Sequence, residues 1–202
     1  FFASSSSVYG DQKKFPLKEE FNTDKPKSFY AATKKCTEIM SYSYSEIYKL
    51  RTIGLRFFTV FGPYGRPDMT PYTFLNSYYA RKFIKIFGFG EHERDFTYID
   101  DTVNMILALF KKVKSKKSKE KFEIFNVAKG NTSKLKTYIS LIEKNLKIKF
   151  KKKYIKYQKG DLKKTYGDVT KINRLIKYSS QFDIKEGISK FTSWYTKYHK
   201  KK

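Results

Sequence analysis

The chain has 202 residues, enough for one domain or one and a half, and its 40% hydrophobic and 18% aromatic content is ample for a packed core, which excludes a disordered tail. No apolar run reaches the roughly 18 to 20 residues of a membrane span and no cleavable signal is visible, while Cys36, His92 and His199 give neither a disulfide framework nor a metal-ligand set. The expectation is a cytoplasmic protein with no membrane partner and no metal, and its net charge of +25 raises nucleic acid as a partner class that must be weighed.

Taken in chain order, FFASSSSVYG at 1–10 reads as the end of a buried strand that runs into four hydroxyls. Buried hydroxyls cost free energy unless a partner or ligand satisfies them, so the cluster marks either a site or a solvated turn. Because residue 1 is Phe and already lies in the strand, the chain is expected to be part of something longer. Asp11 to Lys27 is a polar loop with two prolines. Ser28 caps a helix expected to run to about Leu50, with Ile39, Ser43 and Ile47 on one stripe. IGLRFFTVF at 53–61 predicts one buried parallel strand, ended by Gly62-Pro63. Residues 64–68 are loop, 71–83 a helix, and IKIF at 84–87 a short strand. Asp100 or Asp101 caps the helix TVNMILALF, the lysine-rich 111–121 is a loop, and FEIFNV at 122–127 is a strand. A helix near 133–147, a strand near 148–157, and helices within 168–178 and 184–200 complete the pattern. Strands and helices alternate, which favours α/β with a mostly parallel sheet and a mixed C-terminal part.

The lysines are scattered over almost every segment, densest at 111–121, 144–164 and 200–202, with no recognition motif, so no nucleic acid is expected and a general lysine bias is the simpler reading. The chemistry-bearing feature is Tyr30 with Lys34, at i and i+4 on one helix face. A phenol with an ordinary pKa near 10 is a poor base at neutral pH, but an adjacent ammonium and a cationic cofactor ring favour its phenolate form. A serine hydroxyl from the strand end could share the transferred proton. In a chain with 17 tyrosines such a pair also arises by chance, so alone it carries little.

It does not stand alone. The serine-rich strand end with VYG, YAATKK at 30–35, LRFFTVFGPYGRPDM at 55–69, RDFTYIDD at 94–101 and QKGDLKKTYGD at 158–168 follow one another in an order that resembles the extended short-chain dehydrogenase/reductase family of NAD-dependent epimerases and dehydratases. The likeness is greatest to nucleotide-sugar epimerases of the UDP-glucuronate 4-epimerase kind. It implies an α/β fold: the C-terminal part of a Rossmann-type doubly wound parallel sheet plus a smaller mixed α/β substrate-binding domain. Residues 1–62 and 88–130 would form the former and 63–87 with 131–202 the latter.

The resemblance also implies roles. Ser5 matches the catalytic Ser/Thr, Tyr30 the catalytic base and Lys34 the lysine of the nicotinamide ribose. Phe58 and Val60 match the nicotinamide-side wall, and Thr59 the polar residue that touches the sugar. Arg66, Asp68 and Met69 fall in the strip that holds the nucleotide, and Ile86 and Phe87 in the strand beside the uracil. Arg94 matches a pyrophosphate-binding arginine, for which a planar multi-donor cation is apt; the alternative is a surface ion pair with Glu93 or Asp95. Gln158 and Asp161 match a stretch usually read Gln-Pro-Gly-Asp, in which Lys159 here replaces the proline.

The family's glycine-rich fingerprint for the NAD pyrophosphate is not found within 1–202, since Gly88-Phe-Gly90 lacks a third glycine and a following helix. The chain alone is therefore expected to be inactive. Ser6 and Ser7 stand where dehydratases and decarboxylases carry acidic residues, so elimination lacks its acid and C4 epimerisation is favoured. The expected cofactor is NAD and the expected substrate a UDP-sugar, most of all UDP-glucuronate, with Ser6, Ser7 and Thr59 as candidates to hold its carboxylate and a homodimer through helix 28–50. UDP-glucose 4-epimerisation and sugar dehydration are the alternatives within the family; a basic nucleic-acid module and a noncatalytic interaction fragment are those outside it.

Overall fold

Three apolar runs become the parallel strands of one sheet in the computed structural model, which describes residues 1–115, 120–157 and 162–199. Strand β1 (Phe2–Ser5) pairs with β2 (Thr52–Phe57), which pairs with β7 (Phe122–Val127), in the order β1-β2-β7. Ser5 stands opposite Phe57, and Phe57 opposite Val127, so the three C-terminal ends are level. Gly54 is required in β2 because a Cβ there would run into Ile124 and the Phe2 ring.

Helix α1 (Phe29–Tyr48) returns the chain from β1 to β2, capped by Ser28, whose hydroxyl accepts the Ala31 N–H at 3.1 Å. Its buried face consists of Ala31, Glu38 and Ser45. The predicted stripe of Ile39, Ser43 and Ile47 points the other way, into solvent. Periodicity finds a stripe but cannot say which side the sheet occupies.

The run at 53–61 is not one strand. It breaks at Phe58, whose N–H donates to Val127 O at 3.2 Å, and the Thr59 N–H then donates to Asp95 O at 3.1 Å. Strand β3 (Thr59–Phe61) accordingly leaves β7 and pairs with β6 (Phe96–Tyr98), a change of neighbour that an apolar run does not encode. Between them lie α2 (Thr70–Tyr79), started by Pro71 where a missing N–H is harmless, β4 (Ile84–Phe87) and the short β5 (Glu93–Arg94).

Helix α3 (Ile99–Ser115) differs from expectation at both ends. Asp100 and Asp101 lie inside its first turn rather than capping it. Residues 111–115, expected in a loop, continue the helix, because Lys112 and Lys114 in the last turn suit the negative end of its dipole. After β7, the two-residue β8 (Ser133–Lys134) pairs with β5, α4 (Leu135–Leu146) follows, and β9 (Lys152–Ile155) pairs parallel with β4. Strand β9 is shorter than 148–157 because Phe150 turns inward, its N–H donating to Glu143. Helices α5 (Thr170–Ile176) and α6 (Ile184–Tyr198) close the described chain.

Two cores result. Ile53, Leu55, Leu109, Phe125 and Ile172 pack the sheet against α3 and α5. A larger, aromatic core built on Phe61, Tyr72, Phe96, Tyr138, Phe191 and their neighbours joins β3, β4, β6, α2, α4 and α6.

Candidate active site

In an open α/β sheet the ligand crevice lies outside the C-terminal strand ends. At the end of β1 the chain closes one 3₁₀ turn over Ser6–Tyr9. Ser5 Oγ accepts the Ser7 N–H at 3.2 Å and lies 3.2 Å from Ser7 Oγ, leaving Ser5 and Ser6 nearly buried. Ser4 faces elsewhere: its hydroxyl donates to Glu38 Oε1 at 2.6 Å. The four hydroxyls thus divide into Ser4, which ties β1 to α1, and three at the strand end.

Helix α1 packs on both β1 and that turn. Lys34 Nζ lies 5.9 Å from the Tyr30 ring centroid and donates to Ala3 O at 3.1 Å, so the pair shares a face as the spacing predicts. Tyr30 is half exposed. Tyr9 is the contrasting phenol: burial pushes it up to about 12 against the opposing pull of Arg56, and its hydroxyl donates to Asn126 Oδ1 at 2.6 Å.

The break at Phe58 carries the chain from the strand ends to a cavity of about 740 Å³ between β3, β4, β6 and α2. It brings together Thr59, Val60, Asp68, Met69, Phe87 and Arg94. Arg66 lies on the exposed side of this group and pairs with Asp68 at 3.1 Å. Arg94 donates to Glu93 O at 3.0 Å and Lys163 O at 3.4 Å. Nearby, Glu93 pairs with Lys164 at 2.9 Å, and buried Asp95 accepts the N–H groups of Lys129, Gly130 and Gly167.

Other predicted residues stand apart. Ile86 is in the aromatic core, Phe58 is buried with Tyr9, Leu17 and Ala128, and Ser5, Ser6, Ser7, Tyr30 and Lys34 lie at the strand ends rather than on the cavity wall. Gln158 and Asp161 lie outside the described residues.

The sequence reading missed several groups. Lys82, Lys85 and His92 line the cavity, and no pattern in the sequence marks them. Arg56 and Asn126 were findable, since each is a polar residue inside an apolar run, IGLRFF and FEIFNV. Arg56 forms a buried two-pronged ion pair with Glu38 at 2.8 and 2.9 Å. Burial pushes the Glu38 carboxyl up, but hydrogen bonds and charge from Arg56, with Ser4, outweigh it and hold it below the usual carboxylate range.

The model of the NAD dependent epimerase/dehydratase family matches residues 1–128. Over 194 residues the chain is 44% identical to an uncharacterized protein of Methanocaldococcus jannaschii, covering 96% of this chain and 58% of that one. Over 211 residues it is 40% identical to UDP-glucuronate 4-epimerase 4 of Arabidopsis thaliana, covering 98% and 48%. The UDP-glucuronic acid 4-epimerase of Bacillus cereus, solved in complex with UDP-glucuronic acid and NAD, superposes with a TM-score of 0.86 at 29% identity over 97% of this chain and 60% of that one. The chain therefore spans between 48% and 60% of the length of these relatives.

Proposed function

This chain belongs to the NAD-dependent epimerase/dehydratase family, and we propose that the protein carrying it is a UDP-sugar 4-epimerase that interconverts UDP-glucuronate and UDP-galacturonate. One observation carries the reading: the Tyr30–Lys34 face of α1 packs at the end of β1, and the chain leads from the neighbouring strand end straight into a cavity bordered by Lys82, Lys85 and Arg94. That cavity has the size of a small-molecule site and the charge for a diphosphate. Residues 1–62 and 88–130 form the NAD-binding part and 63–87 with 131–202 the sugar-nucleotide part, except that α5 packs on the sheet with the former.

The donor set suits NAD. Lys34 and the Tyr30 hydroxyl offer an ammonium and a phenol on one helix face for the nicotinamide ribose, with Phe58 and Val60 at the neighbouring strand end. When bound, NAD supplies the oxidation and reduction at C4. The protein's own part is proton handling and orientation. Tyr30 takes the O4 proton and gives it back, Lys34 holds the nicotinamide ribose beside it, and Ser5 shares the proton. Thr59, Ser6 and Ser7 hold the uronate carboxylate away from the geometry for decarboxylation. Arg94, Arg66 and Asp68 grip the nucleotide. The apolar outer stripe of α1 forms a homodimer interface.

The test is incubation of the full-length protein with NAD and UDP-glucuronate. A C4 epimer of unchanged mass is expected. Release of CO2 with a UDP-pentose, or turnover confined to UDP-glucose, would displace the assignment.

A further inference from the structure

We propose that the buried Ser4–Glu38–Arg56 cluster is a positioning device that sets helix α1, and with it Tyr30 and Lys34, in register against the end of β1. The inference rests on the reading of Tyr30 as the proton acceptor. Tyr30, Lys34 and Glu38 follow one another at steps of four residues, so they form one stripe on α1. The two lower members of that stripe are both fastened to β1: Lys34 Nζ donates to Ala3 O at 3.1 Å, and Glu38 accepts from Ser4 Oγ at 2.6 Å. The third member is the one that carries the chemistry.

Glu38 and Arg56 are each only 4% exposed. Arg56 Nε and a terminal nitrogen reach the two carboxylate oxygens at 2.8 and 2.9 Å, a fork that fixes distance and rotation together. Its other terminal nitrogen donates to Glu19 O at 3.1 Å, and the guanidinium lies 4.7 Å from the centre of the Tyr9 ring. One side chain of β2 therefore ties α1, the 11–27 loop and the strand-end turn together.

Side-chain packing alone would hold α1 loosely. The other buried residues of its face, Ala31 and Ser45, are too small to interlock, and of its large apolar residues Tyr42 sets one ring edge on Phe122 of β7 at 5.4 Å while Ile39, Met40, Ile47 and Tyr48 are exposed. Sliding the helix would cost little apolar burial but would break the three bonds that Ser4 and Arg56 donate to Glu38. A buried ion pair is a weak source of net stability compared with apolar residues of like volume, and setting register is its best-attested use. Proton transfer is the process that needs such register, since a misplacement of about 1 Å can cost roughly 100-fold in rate.

The deciding variant is Ser4→Ala/Glu38→Met/Arg56→Met in the full-length protein. It should melt at or above the parent temperature, keep KM for UDP-glucuronate within about two-fold, and lose about 100-fold in kcat. Crystal structures superposed on β1, β2 and β7 should show the Tyr30 hydroxyl displaced. If the triple variant fails to fold, Glu38→Gln, which keeps shape and one acceptor, takes its place with the same kcat and Tyr30 criteria. An unmoved Tyr30 with parental kcat overturns the proposal, and so does a loss of activity that only follows a lowered melting temperature with Tyr30 in place. If the parent turns over no UDP-sugar, the assigned reaction falls, while the superposition still decides whether the cluster sets the register of α1.

Discussion

Two tyrosines flank the 11–27 loop, and burial gives them different work. Tyr9 is enclosed, its phenol is pushed up to about 12, and its hydroxyl is committed to Asn126. It holds the strand-end turn to β7 and keeps its proton at any working pH. Tyr30 is half exposed, with the Lys34 ammonium 5.9 Å from its ring. Replacing Tyr30 by Phe keeps the ring and removes the proposed proton acceptor, so kcat of the full-length protein should fall by roughly 10² to 10⁴, the usual effect of losing a general base. Affinity for the UDP-sugar, measured by calorimetry, should be retained. Near-parental turnover in Tyr30→Phe would show that another group accepts the proton.

At the scale of elements, Asp101 links the start of α3 to the segment between α5 and α6. It accepts the Tyr178 hydroxyl at 2.6 Å, the Ser180 hydroxyl at 2.5 Å, and the N–H groups of Gln181 and Phe182 at 2.8 and 3.1 Å. Burial pushes its carboxyl up, but these hydrogen bonds outweigh that and hold it below the ordinary carboxylate range. A depressed acid stabilises the fold above its unfolded pKa of about 3.9, and that stability is lost as pH falls through the lower folded value. Asp101→Asn should therefore cost about 2 kcal/mol at pH 7, by loss of charge-assisted hydrogen bonds. The deficit, followed by denaturant melts from pH 7 down to about 3, should shrink with acid. A deficit that stays constant with pH would mean that shape, not charge, makes the link.

For the whole molecule, the outer face of α1 is a long exposed apolar surface among the described residues. Ile39 and Ile47 are 57% and 66% exposed, with Met40 and Tyr48 beside them. Exposed apolar residues contiguous along a helix mark an association surface. The full-length protein should sediment as a dimer at micromolar concentration, and Ile39→Glu/Ile47→Glu should sediment as a monomer with its melting profile otherwise two-state. A parent that is monomeric at that concentration removes α1 as an interface. With a dimeric parent, the register cluster on the inner face and the apolar stripe on the outer act on the same helix from opposite sides.

Much of this was legible before any coordinates. Strand ends, the Ser28 cap and the Tyr30–Lys34 face follow from local rules: hydroxyls cap helices, residues four apart share a face, and apolar runs make buried strands. The ordered motifs from the serine run to RDFTYIDD pointed to the family whose model matches residues 1–128. What local rules could not supply was the identity of neighbours. Nothing in IGLRFFTVF announces that the strand changes partner at Phe58, because both halves are equally apolar. The outward turn of Ile39 and Ile47, the role of Asp101 as a tether instead of a cap, and the meeting of Glu38 with Arg56 each depend on segments distant in sequence. Local patterns determined most of the elements, and the ordered motifs, by resemblance, the candidates for the chemistry; tertiary packing alone decided which faces are buried and which charges meet, because desolvation and pairing are properties of the surroundings, not of the residue.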